Sequence, residues 1–277
     1  MSINHPCYSD GCHNNIVRIH LPVADICNLG CGFCERSIEN KDGIKSSNNA
    51  VSPDKAIDWL DKLINVDKED IKIIGIAGPG EPLFSENTLK TLKLVKEKYP
   101  ELDTCLCTNG VNLNETIEKI KDNLDYLTVT INAFTPETAK KIYKFVVFDG
   151  KYKYDLKSFK KMLDNKWSGL KKAINYNTFK AVKINTIYIP DINDDEIELI
   201  AKKAAEFGIN ELNIKILMPK AYFKDHKKFD KEKFIKVRKK AEKYIKVFKE
   251  CKNCSYDAYG VPGKDKRLHE RFKRDNN

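Results

Sequence analysis

The stretch Cys27-Asn-Leu-Gly-Cys31-Gly-Phe-Cys34 places three cysteines within eight residues, at the spacing C-x3-C-x2-C. Thiolates this close along the chain can occupy three corners of one cubane iron–sulfur cluster, which leaves the fourth iron without a protein ligand. Such an open iron can bind a small molecule. A zinc knot is the alternative, but zinc favours a fourth nearby ligand and paired C-x2-4-C spacing. The pattern therefore favours an open iron–sulfur cluster.

The cysteine stretch lies within a regular alternation of predicted strands and helices. Strands are predicted at 16–24, 71–77, 104–107, 127–132, 180–189 and 212–218. Helices are predicted at 52–65, around 89–96, from 136, around 164–175, at 194–207 and at 231–249, with a Tyr/Lys-rich interruption at 143–165. Repeated strand–helix units with short connections predict an α/β fold, a partial (βα)6 TIM-like barrel with its helices outside. Active sites of such barrels form at the carboxyl ends of the strands.

Composition narrows the class of protein. The chain has 277 residues, and its hydrophobic fraction of 41% is enough to bury a substantial core, which excludes an intrinsically disordered chain. No run approaches the roughly 20 apolar residues that a membrane-spanning helix needs. The first residues are polar and resemble no secretory signal. These features predict a soluble, cytoplasmic protein that does not bind membranes.

The net charge of +10 comes almost entirely from lysine, since only six of the fifty basic residues are arginine. Nucleic-acid interfaces favour arginine, and here the lysines alternate with Glu and Asp along predicted helices. We interpret the charge as a solvated surface of the kind common in heat-adapted proteins, with no nucleic-acid partner. As an alternative, the basic tail at 264–274 could be a docking patch for an acidic partner.

The nine cysteines favour metal or cluster binding over disulfides, because an odd number without a secretory signal does not suit a disulfide framework. Cys251 and Cys254 form a C-x2-C pair near the end of the chain. Taken alone, this pair leaves zinc, an iron–sulfur cluster and a redox pair all open.

A second motif, Gly78-Pro79-Gly80-Glu81-Pro82, follows the second predicted strand. By itself it would be an ordinary turn between a strand and a helix. Together with C-x3-C-x-aromatic-C after the first strand, it resembles the radical S-adenosylmethionine (SAM) superfamily. The resemblance implies a 4Fe-4S cluster whose open iron chelates the amino and carboxylate groups of SAM. It also implies that Gly78, Gly80 and Glu81 meet the SAM amino group.

A narrower resemblance, to the NifB family, extends over residues 5–258. The matching runs are 5–9, 18–24, 75–80, 105–110, 128–133 and the terminal cysteine pair with Asp257-Ala258. The resemblance is to the short archaeal form without a carrier domain. It implies an enzyme of nitrogenase cofactor biosynthesis, with lyase or transferase chemistry. In that family two 4Fe-4S clusters are substrates and are fused. One SAM gives its methyl group to a cluster sulfide, and a second is cleaved to a radical that helps to convert this carbon into a carbide.

The NifB resemblance implies ligands for the two substrate clusters. His20, Cys251 and Cys254 would hold one cluster, and Cys7 and Cys105 the other. The sequence departs from the family where residues 36–42 lack a further cysteine and where Ser255-Tyr256 replaces an Arg-Ala pair.

Cys12 and Cys107 are additional cysteines, and either could replace the missing ligand. Because strand side chains alternate, Cys107 is predicted on the same face as Cys105. Alternatively, the second substrate cluster is bound loosely or not at all.

The remaining site predictions concern SAM binding. Besides Gly78, Gly80 and Glu81, the predicted SAM-binding residues are Phe33, Asn109, Thr130, Asn132, Ile184 and Asn185. The alternatives are packing for Phe33, a turn for Asn109-Gly110 and a helix cap for Asn132.

A strand histidine such as His20 is more often a packing residue than a ligand. Among the other histidines, His13 is a weak candidate, and His226 and His269 are predicted to be solvated.

These observations predict three segments: an N-terminal cluster-binding arm at 1–15, the barrel at 16–225, and a helix, cysteine pair and basic tail at 226–277. The implied partners are an iron–sulfur cluster donor, a ferredoxin-like electron donor and a cofactor acceptor scaffold.

Two alternative functions remain: a radical SAM enzyme with one auxiliary cluster that acts on a peptide or small molecule, and a non-catalytic iron–sulfur scaffold. The motif at 78–82 argues against a scaffold, which needs no SAM.

Overall fold

The secondary structure alternates strands and helices along most of the chain. The computed structural model describes residues 5–8, 16–35, 39–41, 44–47, 49–226, 229–252 and 254–273. The strands are β1 (Val17–His20), β2 (Ile26–Cys27), β3 (Leu29–Cys31), β4 (Glu39–Lys41), β5 (Ile44–Ser46), β6 (Ile71–Ile76), β7 (Asp103–Thr108), β8 (Tyr126–Thr130), β9 (Tyr143–Phe148), β10 (Lys151–Lys153), β11 (Ala181–Tyr188), β12 (Glu211–Ile216), β13 (Val247–Phe248), β14 (Ala258–Gly260) and β15 (Lys266–Arg267). The helices are α1 (Pro53–Asp61), α2 (Glu86–Lys98), α3 (Leu113–Ile120), α4 (Pro136–Ile142), α5 (Leu156–Tyr176), α6 (Glu196–Glu206), α7 (Lys231–Ala241) and α8 (Leu268–Lys273).

The main sheet contains the predicted barrel strands. Its order is β13-β12-β11-β8-β7-β6-β1-β14-β15. The six strands β1, β6, β7, β8, β11 and β12 lie side by side in chain order and are all parallel. Their carboxyl ends therefore meet at one edge of the sheet. This confirms the predicted partial (βα)6 architecture.

Side chains alternate sharply between the two faces of these strands. Leu106, Val129 and Ile184 are fully buried in the main apolar core, which the helices cover. The intervening positions face the barrel interior and are polar, and there the Asn185 amide donates to the Cys107 thiol over 3.7 Å. These strands thus turn polar side chains to the barrel interior, beside a small buried cluster of Tyr8, Tyr126 and Ala181.

Two helices differ from their predicted limits. The helix expected around 164–175 begins at Leu156, because the Asp155 carboxylate accepts a hydrogen bond of 2.9 Å from the Ser158 amide and caps it. The predicted interruption is a hairpin of β9 and β10, and β9 also pairs with β3 beside the cysteine loop. The helix expected over 231–249 ends at Ala241, because β13 instead buries its two apolar side chains beside β12.

The last described segment joins the barrel sheet. β14 pairs antiparallel with β1, so that Tyr259 lies opposite Ile19 and the segment covers the edge of the sheet. The division of the chain at 15/16 and at 225/226 stays a prediction. Within the described ranges, no helix combines the length and the apolar character needed to cross a lipid bilayer.

Candidate active site

The three clustered cysteines share the wall of one cavity. Cys27, Cys31 and Cys34 carry half-buried thiols and line a space of about 710 Å³. The same cavity is lined by Phe33 from the cysteine loop and by Cys107 from β7. The sequence motif therefore forms one wall of a space large enough for a small-molecule ligand.

Two glycines allow the cysteine loop to pack closely. A Cβ at Gly30 would lie 2.6 Å from the Phe145 ring, and one at Gly32 would lie 2.7 Å from the Phe223 ring. The Gly32 amide also donates to the Ile142 carbonyl over 3.0 Å. The hairpin after α4 and the turn after β12 thus support the loop from outside the barrel.

The Gly78–Glu81 turn is joined to the chain that enters the cysteine loop. The Gly80 amide donates to the Ala24 carbonyl over 2.6 Å, and the Glu81 amide donates to the Ile26 carbonyl over 2.7 Å. A Cβ at Gly80 would lie only 2.2 Å from the Ile26 oxygen, so this close approach requires glycine. Gly78 adopts a φ of 145°, which side-chain-bearing residues rarely adopt.

Glu81 is buried and accepts several hydrogen bonds within the protein. Its carboxylate accepts from the Leu83 amide at 3.0 Å, from the Asn109 amide at 2.7 Å and from the Thr108 hydroxyl. Burial raises the pKa of Glu81, and these hydrogen bonds oppose the rise. Glu81 thus ties the turn after β6 to the end of β7 and positions the cavity wall.

The other predicted SAM-binding residues fall into two groups. Asn109, Thr130 and Asn185 line the cavity, as Gly80 and Glu81 do. Asn132 is fully buried, and its side-chain oxygen accepts from the Ile187 amide over 2.9 Å. Ile184 packs in the apolar core on the opposite face of its strand. The roles of all these residues in SAM binding stay predictions.

One ring nitrogen of His20 is held by a hydrogen bond. Its Nδ1 lies 2.8 Å from the Ser255 carbonyl oxygen, and because a carbonyl only accepts, Nδ1 carries the proton. Burial, helped by the nearby Arg18, lowers the pKa of His20 to about 3. The ring is therefore neutral near pH 7, with Nε2 unprotonated and able to bind a metal.

Gly75 lies directly against two predicted ligands. A Cβ at this position would lie 2.6 Å from His20 Cδ2, 3.2 Å from His20 Nε2 and 3.3 Å from Cys105 Sγ, so both side chains pack closely over this glycine. Burial raises the pKa of Cys105, and the neighbouring thiols of Cys7 and Cys107 raise it further. The sequence therefore brings Cys7, Cys105 and Cys107 into one region of the barrel interior, as the alternation along β7 predicts.

The first described segment, residues 5–8, lies against the barrel interior. The Tyr8 hydroxyl is 2.7 Å from the Thr128 hydroxyl, and the Lys183 ammonium donates to the Cys7 carbonyl. Cys7 and Cys105 both pack against Tyr8. Cys12 and His13 lie outside the described residues, so the prediction that Cys12 replaces the missing ligand stays a prediction.

The terminal cysteine pair lies near His20. Cys251 and Cys254 carry free, half-buried thiols. Burial raises the pKa of Cys254, and Arg18 opposes that rise. Ser255, which holds the His20 ring, directly follows Cys254 in the chain.

Several cavity residues are not among those predicted from the sequence. Tyr256 and Arg267 reach the cavity from the C-terminal segment. Lys166 is buried beneath it, and its ammonium donates to the Thr130 carbonyl over 3.2 Å. Burial lowers the pKa of Lys166 to about 8. A lysine within the apolar stripe of α5, between Leu163 and Trp167, is the signal that could have identified it.

Two predictions of solvated histidines are wrong. His269 Nδ1 lies 2.8 Å from the carboxylate of the buried Asp257, which also accepts from Arg267. His226 Nε2 lies 2.8 Å from the Pro190 carbonyl. Each ring is held by an acceptor that no local sequence pattern indicates.

The cavity fits the group implied by its motifs. Three cysteine thiols and residues 79–81 of the tightly held turn line the same space, which suits an iron–sulfur cluster together with a small polar molecule. Among the described residues, no group of three or more His, Cys, Asp or Glu side chains meets at a single metal-ion position.

Comparison with known proteins identifies the family. The sequence profile of the radical SAM superfamily matches residues 21–204. The chain is 38% identical over 278 residues to the FeMo cofactor biosynthesis protein NifB of Methanocaldococcus jannaschii, covering 98% of this chain and 91% of that protein. It is 37% identical to the NifB of Methanocaldococcus infernus, covering 98% and 90%.

A solved structure with a similar fold is Streptococcus suis SuiB bound to S-adenosylmethionine. Its TM-score is 0.60 at 16% identity, and the match covers 86% of this chain and 52% of that one. At this identity the likeness concerns the fold alone. The profile and the sequence relatives together decide the assignment: the chain belongs to the radical SAM superfamily and, within it, to the NifB family.

Proposed function

We propose that this chain is a maturase of nitrogenase cofactor biosynthesis, and so serves nitrogen fixation. It would fuse two 4Fe-4S substrate clusters and add a SAM-derived carbon to form the cofactor precursor. One observation carries this proposal: thiols and an unprotonated imidazole nitrogen continue from the SAM cavity into the polar barrel interior. Cys107 lines the cavity, and Cys105 and His20 pack side by side over Gly75. A radical SAM enzyme that acts on an organic substrate without an auxiliary cluster would not need soft ligands there.

The resident group of the enzyme is held by the cysteine loop. Cys27, Cys31 and Cys34 would bind the 4Fe-4S cluster, and the backbone of Gly78–Glu81 would face SAM. When bound, the cluster and SAM supply a carbon radical on one-electron reduction, and SAM supplies a methyl group. Glu81 keeps the loop in position because its carboxylate joins two strand ends.

The substrate clusters would lie in the barrel interior. His20, Cys251 and Cys254 are proposed to hold one cluster, with His20 oriented by the Ser255 carbonyl. Cys7 and Cys105 are proposed to hold the other. We infer that Cys107 supplies the further ligand of this second cluster, because it lies on the same face of β7 as Cys105.

Partners follow in general terms from this role. A protein of this kind needs a source of iron–sulfur clusters, a source of electrons and an acceptor for the product. Tyr256 and Arg267 line the cavity, and Lys215 adds positive charge to its lining, whereas Lys220 is paired with Glu35 over 2.8 Å. Positive charge at this position suits the anionic clusters that must enter and leave.

Anaerobic reconstitution followed by iron and sulfide analysis tests the proposal. We expect about twelve irons per chain, which corresponds to three cubanes. SAM should be cleaved on addition of dithionite, and a methyl group should be recovered on a cluster sulfide. About eight irons, with no methyl transfer to sulfide, would instead favour an enzyme with a single auxiliary cluster. Bound iron without SAM cleavage would indicate a non-catalytic scaffold.

A further inference from the structure

A second cavity, of about 810 Å³, lies beside the first and shares the residue Tyr143 with it. We call it the lysine groove, after the lysines of α4 and β9 that line it. Its principal lining residues are Lys140, Lys141, Lys144, Tyr154, Tyr222 and His226. The proposed function gives this groove no role.

The groove reaches the backbone of the cysteine loop. The Tyr222 amide donates to the Gly32 carbonyl over 2.9 Å, and the neighbouring Phe223 ring packs on Gly32. Gly32 lies directly between Cys31 and Phe33 in the sequence. Only the backbone of the cysteine loop thus separates the groove from the cluster-binding cysteines.

The groove surface combines exposed aromatic rings with positive charge. Tyr222 is 67% exposed and Tyr154 is 58% exposed. The Lys144 ammonium lies 5.3 Å from the centre of the Tyr222 ring. Asp225 is the single carboxylate among the lining residues, against three lysines. Aromatic side chains within a basic rim are typical of a protein-docking surface for an acidic partner.

We propose that the lysine groove is the docking site of a small acidic iron–sulfur electron carrier. This inference rests on the proposed function, since it supplies the electron that SAM cleavage consumes. The carrier's cluster loses one electron and the cluster held by Cys27, Cys31 and Cys34 gains it, without any bond or proton being transferred. Docking here leaves the SAM cavity open to SAM and to the substrate clusters. Transient redox complexes need only a small interface, which suits a surface of this size.

A binding measurement tests the site directly. The variant Lys140→Glu/Lys141→Glu/Lys144→Glu reverses the charge of the groove, whereas Lys236→Glu/Lys239→Glu/Lys243→Glu makes the same change at exposed lysines on and after α7. Titration calorimetry of the full chain with an acidic bacterial-type ferredoxin should show at least about tenfold weaker binding for the groove variant, and near wild-type binding for the control. The difference should disappear at roughly 0.5 M salt, where charges are screened. Equal loss in both variants, or in neither, would overturn the proposal.

An activity measurement separates this inference from the proposed function. With ferredoxin as reductant, the groove variant should form 5′-deoxyadenosine at least about tenfold more slowly than wild type at low salt. With dithionite, which needs no docking site, the two should be equal, and equal iron content confirms that the variant is folded. Equal ferredoxin-driven rates would refute docking at the groove. Failure of wild type with dithionite would instead refute the proposed function, and the calorimetric comparison would still decide the docking site.

Discussion

At the scale of single residues, the triad cysteines are distinguished from the other thiols by their common cavity. Cys27, Cys31 and Cys34 line it together with the Gly78–Glu81 turn, whereas Cys7 and Cys105 lie deeper in the barrel interior. The two groups can therefore be tested separately, because loss of one should leave the other intact.

Replacement of Cys27, Cys31 or Cys34 by Ala should reduce 5′-deoxyadenosine formation to background. Each change removes a thiolate from the cluster whose open iron binds SAM. The measurement is dithionite-driven SAM cleavage after anaerobic reconstitution. Cys251→Ala, outside the triad, serves as the control and should retain SAM cleavage. Undiminished cleavage in any one of the triad variants would show that the motif does not bind the SAM cluster.

Cys107→Ser should lower the bound iron and the methyl transfer from SAM to sulfide, while SAM cleavage persists. Two residues along a strand separate side chains by about 6.5 Å, which suits two thiolates that reach corners of one cubane. A strand also holds a ligand more rigidly than an N-terminal arm does. Cys12→Ser tests the rival ligand by the same two measurements. If neither variant changes iron content or methyl transfer, both cysteines are bystanders and the second cluster has fewer protein ligands.

At the scale of elements, local patterns predicted the six parallel barrel strands well and the helix limits less well. The period-2 alternation along β7 placed Cys105 and Cys107 on one face because it depends only on neighbouring residues. The position of Arg267 at the cavity depends instead on the pairing of β14 with β1, across more than 230 residues of sequence. The early end of α7 is likewise decided by burial of Val247 and Phe248 beside β12. Such tertiary pairings leave no periodic signal in the sequence.

Gly80→Ala should weaken SAM binding by roughly ten- to hundredfold, because overpacking of about 1–3 kcal/mol must be relieved by moving the turn. A Cβ there would lie 2.2 Å from the Ile26 oxygen, and a backbone atom cannot rotate away as a side chain can. SAM affinity of the reconstituted protein is the measurement. Gly150→Ala is the control: a Cβ at that hairpin position meets nothing within 4 Å, and the strain that its φ of 69° imposes on alanine lies outside the SAM cavity. Equal SAM affinity of wild type and Gly80→Ala would show that the turn does not form the SAM site.

Asp257→Asn should destabilise the protein by about 1–3 kcal/mol at pH 7, because the donors around this buried side chain lose their charged acceptor. Burial alone would raise the pKa of Asp257, but hydrogen bonds from His269, Ser255 and Arg267 outweigh burial and lower it. A lowered folded-state pKa stabilises the fold above the unfolded-state value of about 3.9 and loses this effect as the pH falls below it.

Denaturant unfolding at pH 7 and near pH 3 checks this prediction. The stability difference between wild type and Asp257→Asn should shrink at the lower pH, because Asp257 of the unfolded wild-type chain takes up a proton there while the folded carboxylate stays ionised. Asp58→Asn removes the same charge from an exposed position of α1 and should change stability little at either pH. A difference that is independent of pH would mean that the charge of Asp257 does not hold the C-terminal segment.

At the scale of the whole molecule, the N- and C-terminal segments and the barrel contribute to one interior. Residues 5–8 bring Cys7 to β7 and β8, and the segment that ends in β14 brings Cys254 close to His20. The parallel sheet alone therefore holds only part of the proposed ligand set. The resemblance to the NifB family indicated this set from the sequence, because the runs at both ends match as well as the barrel does. Local patterns could not have grouped residues so far apart in the chain.

The double variant Cys251→Ala/Cys254→Ala tests this joint construction of the interior. It should lose roughly four irons, one cubane's worth, because His20 alone cannot retain a cluster. SAM binding and dithionite-driven SAM cleavage should persist, since the triad and the Gly78–Glu81 turn lie in the separate SAM cavity. Methyl transfer to sulfide, measured beside iron content, shows whether the remaining substrate cluster still reaches SAM. Unchanged iron content would make the terminal pair a structural or redox site, and the barrel would then hold one substrate cluster at most.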